Sequence, residues 1–273
     1  MISYCIPVYR PWYARWLISD LVRKTSAEYE ILVWLNTEDA ELETFLLHMQ
    51  TAGHPLRIIG KTPQNIGMKA LRELFAEARH DLITQIDDDV VCITPRVAEI
   101  CQEVFTQFPR VKQLVADVWQ DEFTTGARPE WSCYRPFDEA GGIYDGPIDG
   151  WFSVYHRSIL PLLASLPFSQ YFGAGCAVKA NLTRQGCHGL LCNRFKVFHV
   201  IGPDYASYFN ALDFEIGKYQ RLGRRDIVAW YEGARSRIAS RETLGGRIEA
   251  IREALRLPPA TKDRSSDLHP VHV

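Results

Sequence analysis

The chain has 273 residues, long for one ordinary domain and short for two, so one large α/β unit or a core domain carrying an insertion is expected. Hydrophobic residues at 47% and charged residues at 23% exclude wholesale disorder. With 31 Lys and Arg against 33 Asp and Glu, the formal charge of −2 provides no global field for a polyanion, so nucleic acid is not the default partner.

Taken in chain order, short apolar runs alternate with helix-period segments, the pattern of βαβ units around a mostly parallel sheet. Strands are predicted near Ser3 to Val8, Glu30 to Leu35, Leu56 to Ile59 and Leu82 to Ile86. Helices are predicted between them near Trp12 to Lys24, Ala40 to Ala52 and Gly67 to Ala78. In the third helix Leu71, Leu74, Phe75 and Ala78 recur on one face, which should lie on the sheet. A fourth helix is predicted from about Pro95 to Phe108 and a strand from Val111 to Trp119.

From Asp121 to Gly150 the chain is rich in Gly, Pro, Asp and aromatics without a clear period, the composition of a long irregular insertion. Regular structure should resume at Trp151 to Arg157, with helices near Ile159 to Ser165 and Ala174 to Gln185 and a strand near Phe195 to Ile201. The arginine-rich last third is predicted as helices from Tyr205 to Gly223, Asp226 to Ser236 and Leu244 to Leu255, followed by a polar, disordered tail at 258–273. Seven cysteines contain no C-x-x-C spacing. No basic leader precedes the first strand and no run reaches the roughly 18 apolar residues of a spanning helix, so reduced core thiols and a cytoplasmic location are expected.

The sharpest local signal is Asp87-Asp88-Asp89, three acids between the apolar runs Ile83 to Ile86 and Val90-Val91. At the carboxyl end of a parallel strand, Asp87 and Asp89 would point the same way and suit a hard divalent cation bridging phosphates. A strand-ending Asp turn is the plainer reading of the same residues.

Four pieces come in order at βαβ spacing: Ile6-Pro7-Val8-Tyr9-Arg10, Asn36-Thr37, Asn65-Ile66-Gly67-Met68-Lys69-Ala70, and the acidic triplet. Over about the first hundred residues this set resembles the GT-A glycosyltransferases, particularly the family-two group. The resemblance implies an α/β GT-A, Rossmann-like, mostly parallel sheet flanked by helices with a helical C-terminal extension. It implies a glycosyltransferase domain over 1–204, with a nucleotide-sugar half at 1–119 and an acceptor half at 120–204, before an extension at 205–257. Pro7, Val8, Tyr9, Arg10, Asn36, Asn65, Gly67, Lys69, Asp87 and Asp88 would then bind a nucleoside-diphosphate sugar. For Gly67 there is physical support, because a helix start offers bare N–H groups to an anion.

The resemblance also implies a divalent metal, Mn²⁺ or Mg²⁺, held by Asp87, Asp89 and His199. His199 interrupts the apolar strand Phe195 to Ile201, and neutral imidazole beside carboxylates suits Mn²⁺. The acceptor pocket would involve Trp151, Gly173, Ala174 and Gly175, with the acceptor itself a glycan, small molecule, protein or modified base. Trp119, Phe123, Trp131, Tyr134, Phe137, Tyr144, Trp151 and Phe152 divide between core packing and ring faces on which a sugar stacks.

One departure from the family pattern matters. Where inverting members carry a Glu-Asp base, this sequence has Ala174-Gly175-Cys176. Three readings follow: Asp149, in Gly146 to Trp151, is the base; the enzyme retains configuration and the leaving diphosphate takes the proton; or the protein binds a sugar nucleotide without turnover. The small residues at the motif favour retention slightly. A nucleotidyltransferase is the nearest enzymatic rival, but Pro7 to Pro11 is not the glycine-rich basic loop it needs.

Overall fold

A computed structural model describes residues 1–91, 93–124, 128–165 and 174–256; Cys92, Gly173 and the tail at 258–273 lie outside the described residues. The first half runs β1 (Ile2–Val8), α1 (Pro11–Lys24), β2 (Tyr29–Leu35), α2 (Ala40–Thr51), β3 (Leu56–Lys61), α3 (Met68–Glu77), β4 (Leu82–Ile86) and the two-residue β5 (Val90–Val91). Then come α4 (Val97–Gln107), β6 (Val111–Val118), β7 (Arg135–Asp138), β8 (Ile143–Asp145), β9 (Phe152–His156), α5 (Leu160–Ser165), α6 (Ala174–Arg184) and β10 (His188–His199). Four helices close the described chain: α7 (Pro203–Tyr208), α8 (Leu212–Arg221), α9 (Arg225–Ala234) and α10 (Arg241–Ala254).

The strands form one sheet in the order β3-β2-β1-β4-β9-β6-β10-β8-β7, with β5 paired to β10. Pairing is parallel among β1, β2, β3 and β4 and between β6 and β10, while β9 lies antiparallel between β4 and β6. Two successive reversals bring β6 and β10 back to the direction of β4. The carboxyl ends of β1, β2, β4, β6 and β10 therefore share one edge, the position where open α/β sheets bind ligands.

Strand alternation sorts the core into two layers. Tyr4, Ile6, Ile31 and Val33 pack with α1, α2 and α4, whereas Cys5, Leu32 and Ile83 pack with α3, α5 and α6. Local chemistry agrees with the packing. Pro11 opens α1, where its missing N–H costs nothing, and Asp39 caps α2 by accepting from the Leu42 N–H at 2.7 Å.

Three expectations need correction. The predicted irregular stretch contains the β7–β8 hairpin. The last strand begins at His188 rather than Phe195, because polar Asn193 and Lys196 are accommodated at a register shift against β6, with the Lys196 ammonium 3.2 Å from Asp117. The helix predicted from Tyr205 to Gly223 is broken at Asn210, whose φ of 57° is left-handed and ends α7 before α8 starts.

Candidate active site

A cleft of about 450 Å³ opens at the shared carboxyl edge. Its floor is the turn after β4. The Asp87 N–H donates to the Trp151 carbonyl at 3.0 Å, the Val90 N–H to the Asp87 carbonyl at 3.1 Å, and the Val200 N–H to the Asp89 carbonyl at 2.9 Å. The triplet is thus pinned between the start of β9 and the end of β10, in a turn rather than in strand alternation. The β5–β10 pairing sets His199 opposite Val90 and so carries it to the triplet across more than a hundred residues of sequence.

The three acids have separate jobs. Asp88 accepts from the Tyr9 and Arg10 N–H groups and from Arg10 Nη1, each at 2.5 Å, and so ties the end of β1 to the end of β4. Asp87 and Asp89 face His199, and one ligand atom from each of the three lies within 4.8 Å of the others, the one such group among the described residues. His199 Nε2 lies 3.2 Å from Asp89 Oδ1, while its buried Nδ1 has no partner.

Burial, with the Asp89 carboxylate beside it, pushes Asp87 up to about 8. Asp89 resists its own burial: Arg10 and His199 hold it well below the usual carboxylate range. Burial would lower His199, but Asp89 raises it above the ordinary imidazole value. Two carboxylates beside an imidazole, with one ligand atom from each within 4.8 Å of the others, fit a divalent cation.

The outer wall comes from the C-terminal helices. Arg10 Nε lies 2.6 Å from Glu215 on α8, and its Nη1 lies 3.2 Å from Asp89. Lys218, one helical turn from Glu215, pairs with that same carboxylate and sits 4.3 Å from the Tyr219 ring centre. Burial and nearby Arg10 hold Lys218 below the ordinary lysine range. Tyr219 and Tyr231 complete this wall.

At the opposite side, Asp149 lines the cleft beside Gly150, Trp151 and Cys176. Gly175 in the first turn of α6 lies directly behind it: a Cβ there would come 2.5 Å from the Asp149 carbonyl carbon. Only glycine permits that approach. Gln85 stands under the same loop and accepts from the Tyr155 hydroxyl at 3.1 Å.

No sequence family matches the chain, and no curated protein sequence does either. Solved structures do. The mannosyltransferase PcManGT from Pyrobaculum calidifontis, in complex with GDP-Man and Mn²⁺, is similar with a TM-score of 0.54 at 13% identity, over 81% of this chain and 64% of that one. S. aureus TarS 1–349 in complex with UDP is similar with a TM-score of 0.51 at 11% identity, over 85% and 71% of the two chains. The fold is that of a GT-A glycosyltransferase. The chain spans 64% of the length of the mannosyltransferase it resembles.

Within this GT-A fold the cleft collects Pro7, Tyr9, Arg10, Asn36, Asn65, Gly67, Asp87, Asp88, Asp89, Asp149, Trp151 and His199 from the residues singled out by sequence. Three others stand off its wall. Val8 points into the core, fully buried; Lys69 lies on the exposed face of α3, whose cleft side is Met68 and Leu71; and Gly175 is hidden behind Asp149. Ala174 heads α6, and Cys176 of the same helix lines the wall.

Asn36 holds the loop before α3 by accepting from the Ile66 N–H at 3.0 Å, and Asn65 accepts from the Gly67 N–H at 2.8 Å. Gly67 itself adopts φ 54°, ψ −128°, a conformation that a side chain would strain. Of the eight clustered aromatics only Trp151 reaches the cleft, and its indole N–H is committed to the Ala116 carbonyl at 2.8 Å. Gln85, Glu215, Lys218, Tyr219, Tyr231 and Cys176 are wall residues that sequence reasoning missed. A Glu-x-x-Lys pair inside a polar helix reads as solvated surface, so nothing local marks it.

Proposed function

We propose that this protein is a metal-dependent glycosyltransferase that moves a sugar from a nucleoside-diphosphate donor to a hydroxyl-bearing acceptor. The observation that carries the reading is the Asp87–Asp89–His199 group at the carboxyl edge of a GT-A sheet, in a cleft lined by Asp87, Asp88, Asp89, Asp149 and Glu215 against Arg10 and Lys218. Such an acidic lining repels a bare diphosphate, and a divalent cation between the carboxylates and the phosphates reverses that repulsion. When bound, the metal would supply charge neutralisation to the diphosphate as the glycosidic C–O bond breaks.

The chain's own residues do the rest. Tyr9, Asn36, Asn65 and the Gly67 turn bound the nucleoside end, where Asn36 and Asn65 keep the loop at 62–67 in shape. Asp149 is the carboxylate that can take the acceptor proton. Its backbone packs against Gly175, the position at which inverting members of the family the sequence resembles carry their base, and it lines the cleft with Oδ1 accepting from the Gly150 N–H at 2.8 Å. This favours Asp149 as a general base over proton transfer to the leaving diphosphate.

The test is incubation with UDP- and GDP-sugars and a mixed acceptor pool, in Mn²⁺ and in EDTA, reading free nucleoside diphosphate and transferred label. Metal-dependent release coupled to transfer is expected. Equal donor affinity in EDTA and Mn²⁺, with no release, would sink the reading.

A further inference from the structure

Among the described residues one arginine and one lysine line the cleft, Arg10 and Lys218, and they are not equivalent. Arg10 is spent within the protein: Nε meets Glu215, and Nη1 meets both Asp88 and Asp89. Lys218 meets one carboxylate, Glu215, and the face of one ring, Tyr219. An ammonium carries three donors. Its side chain is only 9% exposed, so its charge sits in a poorly hydrated wall where a second anion gains more than it would at the surface.

Lys69, expected to serve the diphosphate, is exposed on α3 and is not among the residues lining the cleft, and Arg221 at its rim is exposed and donates to the Tyr9 hydroxyl. The chain of contacts Lys218–Glu215–Arg10–Asp88/Asp89 joins α8 to the turn holding the metal group, so the ammonium and that group are fixed relative to one another.

We infer that Lys218 on α8 is the protein's direct contact to the donor diphosphate, with Glu215 as the positioning residue that aims it and Arg10 as the strut that ties it to the acidic triplet. The inference rests on the nucleoside-diphosphate reading of the cleft and deepens it. It makes a helix of the C-terminal extension part of the substrate site. The ammonium would oppose diphosphate charge, and no proton need move.

Calorimetric titration with UDP and GDP in Mn²⁺, paired with Mn²⁺ binding read alone by electron paramagnetic resonance, tests it in the wild-type chain and in Lys218→Met and Lys218→Arg. Lys218→Met should lose about ten- to a hundredfold in nucleoside-diphosphate affinity, the loss of one charge-assisted contact. Mn²⁺ affinity should be unchanged or tighter, since a nearby positive charge is gone, and Lys218→Arg should recover most of the loss.

Undiminished diphosphate binding by Lys218→Met overturns the inference and leaves the proposed function standing. Mn²⁺ affinity falling in step with diphosphate affinity also overturns it, because Lys218 would then act only by propping the triplet. Failure of the wild-type chain to bind either nucleotide overturns both. If Lys218→Met does not fold, Lys218→Gln, which keeps a hydrogen bond to Glu215 without the charge, is read in its place with the same criteria.

Discussion

In the proposed reaction Asp149 and His199 would each carry one separable role, and each is tested by an observable that packing alone would not move. A general base typically contributes about 10²- to 10⁴-fold, so Asp149→Asn should cut turnover on that scale, with donor affinity nearly unchanged and an inverted anomeric product from the wild type. Full turnover by the variant with a retained product would return the proton to the diphosphate. For His199, the imidazole lies 3.2 Å from Asp89 and its ligand atom falls within 4.8 Å of those of Asp87 and Asp89, the grouping on which the proposed metal site rests. His199→Ala should raise the Mn²⁺ concentration for half-maximal donor binding about tenfold or more. A large fall in Tm with unchanged metal dependence would place His199 in the core instead. Sequence named both residues but missed Lys218 and Glu215, because an acid and a base one turn apart on a helix look solvated until another element buries them.

Among the elements, the first turn of α6 and the β1–β2 edge make opposite demands. Gly175 has no room for a Cβ against the Asp149 backbone, and backbone cannot swing aside as a flexible side chain does. Gly175→Ala should therefore cost about 1–3 kcal/mol in urea denaturation and lower turnover through the displaced Asp149 loop. At the other edge, buried Glu30 links β1, β2 and the end of α3: Ser3 Oγ and the Arg79 N–H each donate to it at 2.7 Å, and Arg57 lies 3.3 Å away. Burial alone would raise its pKa, and these donors hold it below the ordinary carboxylate range. A depressed carboxylate contributes stability that is present above its unfolded value, about 4.3, and is lost as pH falls through the folded value. The urea midpoint of the wild type should thus fall steeply below about pH 4.3, and Glu30→Gln should lower the neutral plateau while flattening that acid limb. An acid limb identical in the two proteins would remove Glu30 from the account.

Across the whole molecule, the C-terminal helices are bound to the sheet by core as well as by charge. Tyr13 of α1, Val91 of β5 and Phe198 of β10 share one buried cluster with Tyr205, Leu244, Ile248, Ile251 and Leu255. Four such aliphatic side chains at about 1.5–3 kcal/mol each rival a typical net stability of about 5–15 kcal/mol. Ending the chain at residue 204 should therefore leave a product that binds no nucleotide and aggregates or melts without cooperativity, as read by circular dichroism and gel filtration; a cooperative, nucleotide-binding 1–204 fragment would show that the extension is dispensable. No described helix is long and apolar enough to cross a membrane. The alternation of apolar strands with amphipathic helices, the Pro7-Val8-Tyr9-Arg10, Asn36 and Asn65-to-Ala70 segments and the acidic triplet were enough by themselves to determine a GT-A sheet and to place most of these segments at one cleft, because period, caps and turn residues are local properties written in neighbouring positions. What only the tertiary structure decided was the company those residues keep: His199 reaching Asp89 through a two-residue strand, Asp149 seated against Gly175, Arg10 consumed by acids from two distant elements, and Lys218 turned inward by α8. Each depends on contacts between positions tens to hundreds of residues apart, and burial, which turns an ordinary surface charge into a site residue, is a property of the folded assembly and not of any segment of the chain.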